Sequence, residues 1–286
     1  MKVLIYVNPK RDPGLAYARR AAELLTAGGA RLCVPADIPG AELLPPEVER
    51  IGEACDYERV IAFGGDGTVL SAARYALRAG VPLAGVNLGH VGYLATLERD
   101  DLAELPRLLS PALPVEERIL LHYAILRGKE TVEEGFAVND VILKNAEPAT
   151  VLCLEVESGG RRLYTFRGDG MIVASPTGST AYNLSAGGPV VDPEASAILL
   201  TPICAHNLVA RPVVLSDRSR ACIRLRSAAE GEGYLSPDGQ RSIPLLEGDE
   251  VICTAHPRRL KLVNLHETAF FDIMRHKLSG EAGENL

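Results

Sequence analysis

Val60-Ile61-Ala62-Phe63-Gly64-Gly65-Asp66-Gly67-Thr68 runs from an unbroken apolar segment into a glycine-rich turn, and the fold follows from how it is read. The apolar residues predict a buried strand over 59–63, and the spacing of 68–79 predicts a helix behind the turn. Glycines between a strand and a helix permit positive φ and let the backbone come close to a ligand. The helix start presents free N–H groups and the positive end of a dipole, which favour phosphate. This is not a Walker A loop, because the G-K-[ST] ending is missing, and it is not G-x-G-x-x-G.

Asp66 is the informative residue of the turn. A carboxylate beside phosphates is repulsive, so a plain phosphate cradle would exclude it. It makes sense as a magnesium ligand, or as the acceptor of a proton from an attacking hydroxyl. The bland alternative is a tight turn in which Asp66 caps the helix.

Working outward, Lys2–Val7 reads as a strand, 15–25 as a helix with Leu15, Ala18, Ala22 and Leu25 on one face, and 31–34 as a second strand. Beyond the central helix, 82–86 is a further strand. This order predicts an N-terminal doubly wound α/β domain with a parallel sheet, whose ligands sit at the turns after the strands. Near Leu113 the pattern changes to short, β-branched, alternating segments: 120–126, 137–143, 151–156, 163–166, and others as far as Leu260–Val263. Ser158-Gly159-Gly160-Arg161 reads as a hairpin turn. The expectation is a second, all-β domain. Residues 269–278 have helical spacing and are expected to pack back on the first domain, ahead of a polar, frayed tail.

The 286-residue chain has 47% hydrophobic residues and a net charge of −7. That supports a sizeable core and disfavours general nucleic-acid binding, which relies on a basic field. A polyphosphate ligand would need local compensation from an arginine or lysine, helix N-termini or a metal. Arg167 and Arg211 are the candidates, with Lys144 behind them. No apolar stretch is long and uncharged enough to cross a bilayer. The apolar N-terminal run stops at Asn8-Pro9-Lys10-Arg11-Asp12 without cleavage-type small residues, so it reads as a first strand and not as a signal peptide. Six scattered cysteines with no C-x-x-C pair read as free thiols of a reducing compartment, making the cytoplasm the expected location. His266-Glu267 is not H-E-x-x-H, no other group has zinc-ligand spacing, and metal ligands stay unassigned.

The longest specific stretch is Arg167-Gly168-Asp169-Gly170-Met171-Ile172-Val173-Ala174-Ser175-Pro176-Thr177-Gly178-Ser179-Thr180-Ala181-Tyr182. It reads as a turn, a strand, and a helix with Pro176 near its first position and Ser175 as N-cap. On that helix Thr177, Ala181 and Ser185 fall at i, i+4 spacing with Tyr182 beside them. Such a face suits a flat ligand or close packing against another element.

Further matches follow in order: Asn87-Leu88-Gly89-His90-Val91-Gly92-Tyr93-Leu94, Asn139-Asp140, Ala210-Arg211-Pro212, Asp238-Gly239-Gln240 and Phe270-Phe271-Asp272-Ile273. Together with residues 64–68 and 169–182 they make the chain resemble the bacterial NAD kinases over nearly its whole length. The first loop alone is shared with lipid kinases and phosphofructokinases.

The resemblance implies an α/β domain over 1–110, a β-sandwich-like domain over 111–266 and a returning C-terminal helix over 267–286, with NAD between the two domains. It implies that ATP, or polyphosphate, gives its terminal phosphate to the 2′-hydroxyl of the adenosine ribose of NAD. Mg²⁺ or another divalent metal would accompany ATP. Asp66 would be the catalytic base, with Gly64, Gly65, Gly67 and Thr68 close to the phosphates. Asn139 and Asp140 would hold the adenosine part, while Thr177, Thr180, Ala181, Tyr182, Ser185, Asp169 and Tyr93 line the dinucleotide site. Arg167 and His206 join that set, the histidine because relatives often carry one there. Homo-oligomers, dimers or tetramers, are the family habit, with no nucleic-acid or membrane partner. An aspartate is a weak base toward a ribose hydroxyl, so proton transfer would come late, and alignment would supply most of the rate. Residue by residue, blander readings stand beside these: a strand-end turn at Asn139-Asp140, a structural His206, core packing for Tyr93 and Tyr182. The rival functions are a lipid or sugar kinase and a non-catalytic nucleotide sensor.

Overall fold

Apolar runs separated by glycine and asparagine turns become strands and helices in the order their periodicity dictates. The computed structural model describes residues 1–52, 56–89, 92–147, 150–228, 233–265 and 270–278. They form β1 (Lys2–Val7), α1 (Ala16–Ala27), β2 (Arg31–Pro35), β3 (Glu49–Ile51), β4 (Arg59–Gly64), α2 (Asp66–Ala79), β5 (Leu83–Asn87), β6 (Leu97–Glu98) and β7 (Val115–Arg118). Next come β8 (Leu121–Arg127), β9 (Glu130–Ala137), β10 (Asp140–Asn145), β11 (Leu152–Ser158), β12 (Arg161–Gly168), β13 (Gly170–Ala174) and α3 (Tyr182–Ser185). The remainder is β14 (Ala197–Ile203), β15 (Val213–Ser216), β16 (Ala221–Ala228), β17 (Gly233–Pro237), β18 (Ile243–Leu245), β19 (Glu250–Ala255), β20 (Leu260–Val263) and α4 (Phe270–Leu278). The chain divides into two compact units, Met1–Glu117 with Leu260–Leu286, and Arg118–Arg259.

The sheet of the first unit has the order β3-β2-β1-β4-β5-β20-β7, with β6 paired to β5. β1, β2, β4 and β5 run parallel, as the alternation of strand and helix requires. Val3, Ile5, Ile61, Phe63, Ala84 and Val86 on these strands pack with Ala18, Ala21, Ala22 and Leu25 of α1 in one core. Burying each of the larger side chains contributes roughly 1.5–3 kcal/mol. The start of α1 is satisfied from upstream: the buried Asp12 carboxylate accepts the N–H groups of Tyr17 and Ala18. α2 stops at Gly80, whose left-handed backbone lets its N–H bond Ala76 O.

The first unit does not stop at residue 110, because β7 joins its sheet, and it resumes at Leu260, ahead of 267. Its sequence pattern groups β20 with the all-β segments. Its parallel pairing of Leu262 with Leu83 of β5 instead places it in the α/β sheet.

The second unit consists of two six-stranded sheets, β15-β14-β13-β10-β17-β18 and β12-β11-β16-β19-β8-β9. Their paired strands run antiparallel. Alternate residues of both sheets, among them Val141, Leu143, Val173, Leu200, Leu154, Phe166, Ile223 and Val251, meet in one core, which makes it a β-sandwich. The expected hairpin forms, with Ser158 opposite Arg161 and both glycines at positive φ. The helix expected after Pro176 is not continuous. A 3-10 turn over Thr177–Thr180 is broken at Ala181 (φ −89°, ψ −135°) before the single turn of α3.

Candidate functional site

In the first unit, three loops follow the C-terminal ends of β1, β4 and β5, which are neighbours in the sheet. Asp66 is the first residue of α2, two positions earlier than the sequence pattern placed the helix start. Its carboxylate does not cap the helix. Oδ2 accepts the Tyr93 N–H at 3.0 Å and Oδ1 the Leu94 N–H at 3.1 Å, so the loop after β5 grips it from outside. A Cβ at Gly92 would run into that carboxylate, and one at Gly64 would run into the Thr68 side chain. Both glycines therefore serve close approach. Thr68, buried, bonds its amide to Gly65 O and accepts Asn8 Nδ2 at Oγ1.

Tyr93 is half-buried beside this carboxylate and packs its ring on Phe270 at 6.0 Å. Burial, and then the Asp66 charge, pushes its phenol up. Asn87 gives its side-chain amide to Glu98 Oε2 and accepts the Gly89 N–H. Burial holds Glu98 above the ordinary carboxylate range, with Asp66 among the negative charges that add to the effect. His90 and Val91 of this motif lie outside the described residues, as does Cys55.

In the second unit, Asn139 and Asp140 stand at the junction of β9 and β10. The Asp238 carboxylate accepts the N–H groups of Val138, Asn139 and Asp140, the last two through the same oxygen. Asp238 itself takes a left-handed backbone (φ 50°). Ser175, at the end of β13, donates its hydroxyl to Val138 O and accepts the Gly178 N–H, so it caps the 3-10 turn as an N-cap serine would. Gly178 sits so tightly on Asn139 that a Cβ there would overlap the Asn139 carbonyl. The structure thus brings Asn139, Asp140, Ser175, Thr177 and Asp238 together.

Two groups in this cluster have no hydrogen-bond partner among the described residues. The Asp140 carboxyl is only 3% exposed, yet no described donor reaches it, and burial, aided by Asp238, pushes its pKa up to about 7. Thr177 Oγ1 is buried without a hydrogen-bond partner. Buried polar atoms are normally satisfied, so each orphan calls for an explanation. Burial likewise raises Asp238 against its three amide donors.

The other expected residues lie elsewhere in the second unit. Ala181 and Thr180 are half-exposed, Ser185 is exposed, and Tyr182 packs against Ile172, Ala174, Leu199 and Ile203. Asp169, Arg167 and His206 gather at the opposite end of β13, about 20 Å away by strand rise. There the Asp169 carboxylate bonds Cys204 and pushes its thiol up, and His206 N–H donates to Arg167 O. Arg211 is exposed, and its carbonyl accepts the Tyr164 hydroxyl. The sequence reading missed Asp238 and Asn8 as organisers. The Asp-Gly turn at 238–239 and the asparagine directly after the first strand were the available signals.

Comparison with known proteins adds an independent line. Residues 3–110 match the ATP-NAD kinase N-terminal domain and residues 138–265 the ATP-NAD kinase C-terminal domain. The NAD kinase of Symbiobacterium thermophilum is 37% identical over 284 residues, covering 98% of this chain and 99% of that protein. That of Heliobacterium modesticaldum is 34% identical over 275 residues, covering 96% and 97%. Among solved structures, a yeast NADH kinase complexed with NADH has a TM-score of 0.83 at 23% identity, covering all of this chain and 89% of that one. An Archaeoglobus fulgidus NAD kinase in complex with ATP reaches 0.73 at 23% identity, covering 96% and 99%. At that identity the structural likeness speaks for the fold, an α/β domain followed by an all-β domain. With both domain models matched in order and full-length relatives above 30% identity, the chain belongs to the ATP-NAD kinase family.

Proposed function

We propose that this chain phosphorylates NAD, transferring the terminal phosphoryl group of ATP to the 2′-hydroxyl of the adenosine ribose to give NADP and ADP. The observation that carries the reading is the Asp66 carboxylate. It is held at the start of α2 by the amides of Tyr93 and Leu94 and is not spent as a helix cap. A carboxylate fixed from outside in this way is oriented before substrate arrives, which is where most of the gain in phosphoryl transfer lies.

In this reading Asp66 accepts the 2′-hydroxyl proton as that oxygen bonds the γ-phosphorus, while the bond from phosphorus to the ADP oxygen breaks. Gly64, Gly65, Gly67 and Thr68 give backbone room and N–H groups to the donor phosphates. Asn139 and Asp140 hold the adenosine part, the Asp140 carboxylate accepting from the ribose 3′-hydroxyl. Thr177 Oγ1, otherwise orphaned, gains a partner from the same ligand. Thr180, Ala181, Tyr182, Ser185, Asp169 and Tyr93 complete the dinucleotide contacts, with Arg167 and His206 near its far end.

Among the described residues no group of three His, Cys, Asp or Glu side chains could cage a metal ion. Magnesium keeps its waters and binds through substrate phosphates and one or two carboxylates; Asp66 is the carboxylate that would share it. Such an ion supplies neutralisation of the donor phosphates. The reading carries with it a cytoplasmic homo-oligomer, dimer or tetramer. No described helix is long and apolar enough to cross a membrane.

The test is NADP formation by purified protein with NAD, ATP and magnesium, beside Asp66→Asn. We expect NADP from the native chain, and turnover lower by about three orders of magnitude in the variant with NAD affinity retained. Tight NAD binding with no NADP from the native chain would replace the kinase by a sensor.

A further inference from the structure

We propose that Arg11, seconded by Lys10, is the cation that receives the phosphate chain of the donor nucleotide. This rests on the kinase reading and deepens it. The chain is acidic overall, and Asp66 adds a negative charge where the phosphates must lie. The first unit must therefore supply positive charge locally, and the loop after β1 does so.

The loop is built to hold its shape. Asn8 N–H donates to Phe63 O at the end of β4, and Asn8 Nδ2 donates to Thr68 Oγ1 on α2. Asn8 Oδ1 accepts the Lys10 N–H at 3.1 Å, and Asn8 O accepts the N–H groups of Arg11 and Asp12. Asp12 is 1% exposed, with both carboxylate oxygens spent on amides of α1. The backbone on either side of the two cations is thus pinned, while their side chains stay exposed. Neither side chain makes a hydrogen bond or ion pair among the described residues.

The direction of Arg11 is the telling point. Its Nη1 lies 3.8 Å from where a Gly89 Cβ would stand, in the turn after β5. β4 lies between β1 and β5 in the sheet. Two strand spacings are about 10 Å, so the loop after β1 spans part of that distance and the extended arginine side chain the rest. A guanidinium that leaves the β1 loop and arrives at the β5 loop must cross the end of β4, where Gly64 and Gly65 turn into α2. Its path leads across the glycine loop, and it has no ion-pair partner among the described residues. The carboxylates nearby are otherwise engaged: Asp12 on α1, Glu98 on Asn87, Asp66 on two amides. A planar guanidinium suits phosphate oxygens bidentately, which a lysine cannot match.

The experiment compares the native chain with Arg11→Gln, Arg11→Lys and Lys10→Gln. It measures KM for ATP and for NAD separately, kcat, and binding of ATP alone in the absence of NAD. Arg11→Gln should raise KM for ATP and lower kcat/KM for ATP by about 10- to 100-fold. KM for NAD and the melting temperature should stay within twofold and about 2 °C of native, because Arg11 is exposed. Arg11→Lys should recover part of the loss, and Lys10→Gln should show a smaller one. Unchanged ATP parameters in Arg11→Gln, or a loss confined to NAD, would overturn the assignment and leave the kinase reading standing. If the native chain makes no NADP, the kinase reading fails. Arg11 is then judged on ATP binding alone, where at least tenfold weakening in Arg11→Gln upholds it and equal affinity overturns it.

Discussion

Asp140 shows how much a single residue can carry. Its type and neighbour were readable in the sequence, but its protonation state was not, because that depends on a burial produced by strands far apart in the chain. A carboxyl moved from 3.8 to about 7 disfavours its ionised form by about 4 kcal/mol. The folded protein keeps the proton that the unfolded chain releases between about pH 4 and 7, so stability falls as pH rises through that window. Asp140→Asn should therefore raise the stability of the ligand-free protein by about 1–3 kcal/mol at pH 8, with the gain vanishing near pH 4, as measured by urea unfolding. The same substitution should weaken NAD binding, which in the native protein should tighten as pH rises through about 7 and Asp140 ionises. Equal stability of the two proteins at pH 8 would show that the carboxyl is solvated after all.

At the scale of elements, alternation and punctuation locate most strands to within two residues, and the βα order by itself implies the parallel sheet. Seven strands escaped, β3, β6, β7, β9, β14, β17 and β18, and so did the break in one helix. β14 is seven consecutive buried residues with no alternation, so its period is silent. The helix expected across 176–185 has the right spacing but is overruled by packing. Gly178 is pressed on Asn139, and the fully buried Asn183 ties the chain elsewhere. Asn183 Nδ2 donates to the carbonyls of Ser179 and Pro189, and its Oδ1 accepts the Thr201 hydroxyl. These bonds define the path of the segment that presents Thr177 and Tyr182. Asn183→Ala should cost about 3 kcal/mol in unfolding free energy, by stranding two carbonyls and a buried hydroxyl. A cost below about 1 kcal/mol would mean that the turn is held by its glycines instead.

At the scale of the molecule, what stayed illegible was long-range pairing. Nothing local in Leu260–Val263 says that it belongs between β5 and β7, because a four-residue apolar strand reads the same in either unit. The second unit, by contrast, is one continuous stretch. A fragment spanning 118–259 should fold alone with a cooperative thermal transition, whereas a fragment spanning 1–117 should not. Adding a fragment of 260–286 should restore structure to 1–117, measured by circular dichroism. A cooperative melt of 1–117 by itself would show that β20 is dispensable.

That discontinuity also sets a timetable. A ribosome delivers β1 to β6 first, and β6 pairs only the far end of β5, so the strand that covers β5 at Leu83 emerges only after the entire β-sandwich has been synthesised. The later-made unit can therefore finish folding on the nascent chain while the earlier-made one waits with an open sheet edge. Unpaired parallel edges are where association with other chains begins. The period of greatest exposure to aggregation thus falls during translation of the second unit, and a pause in that interval would lengthen it.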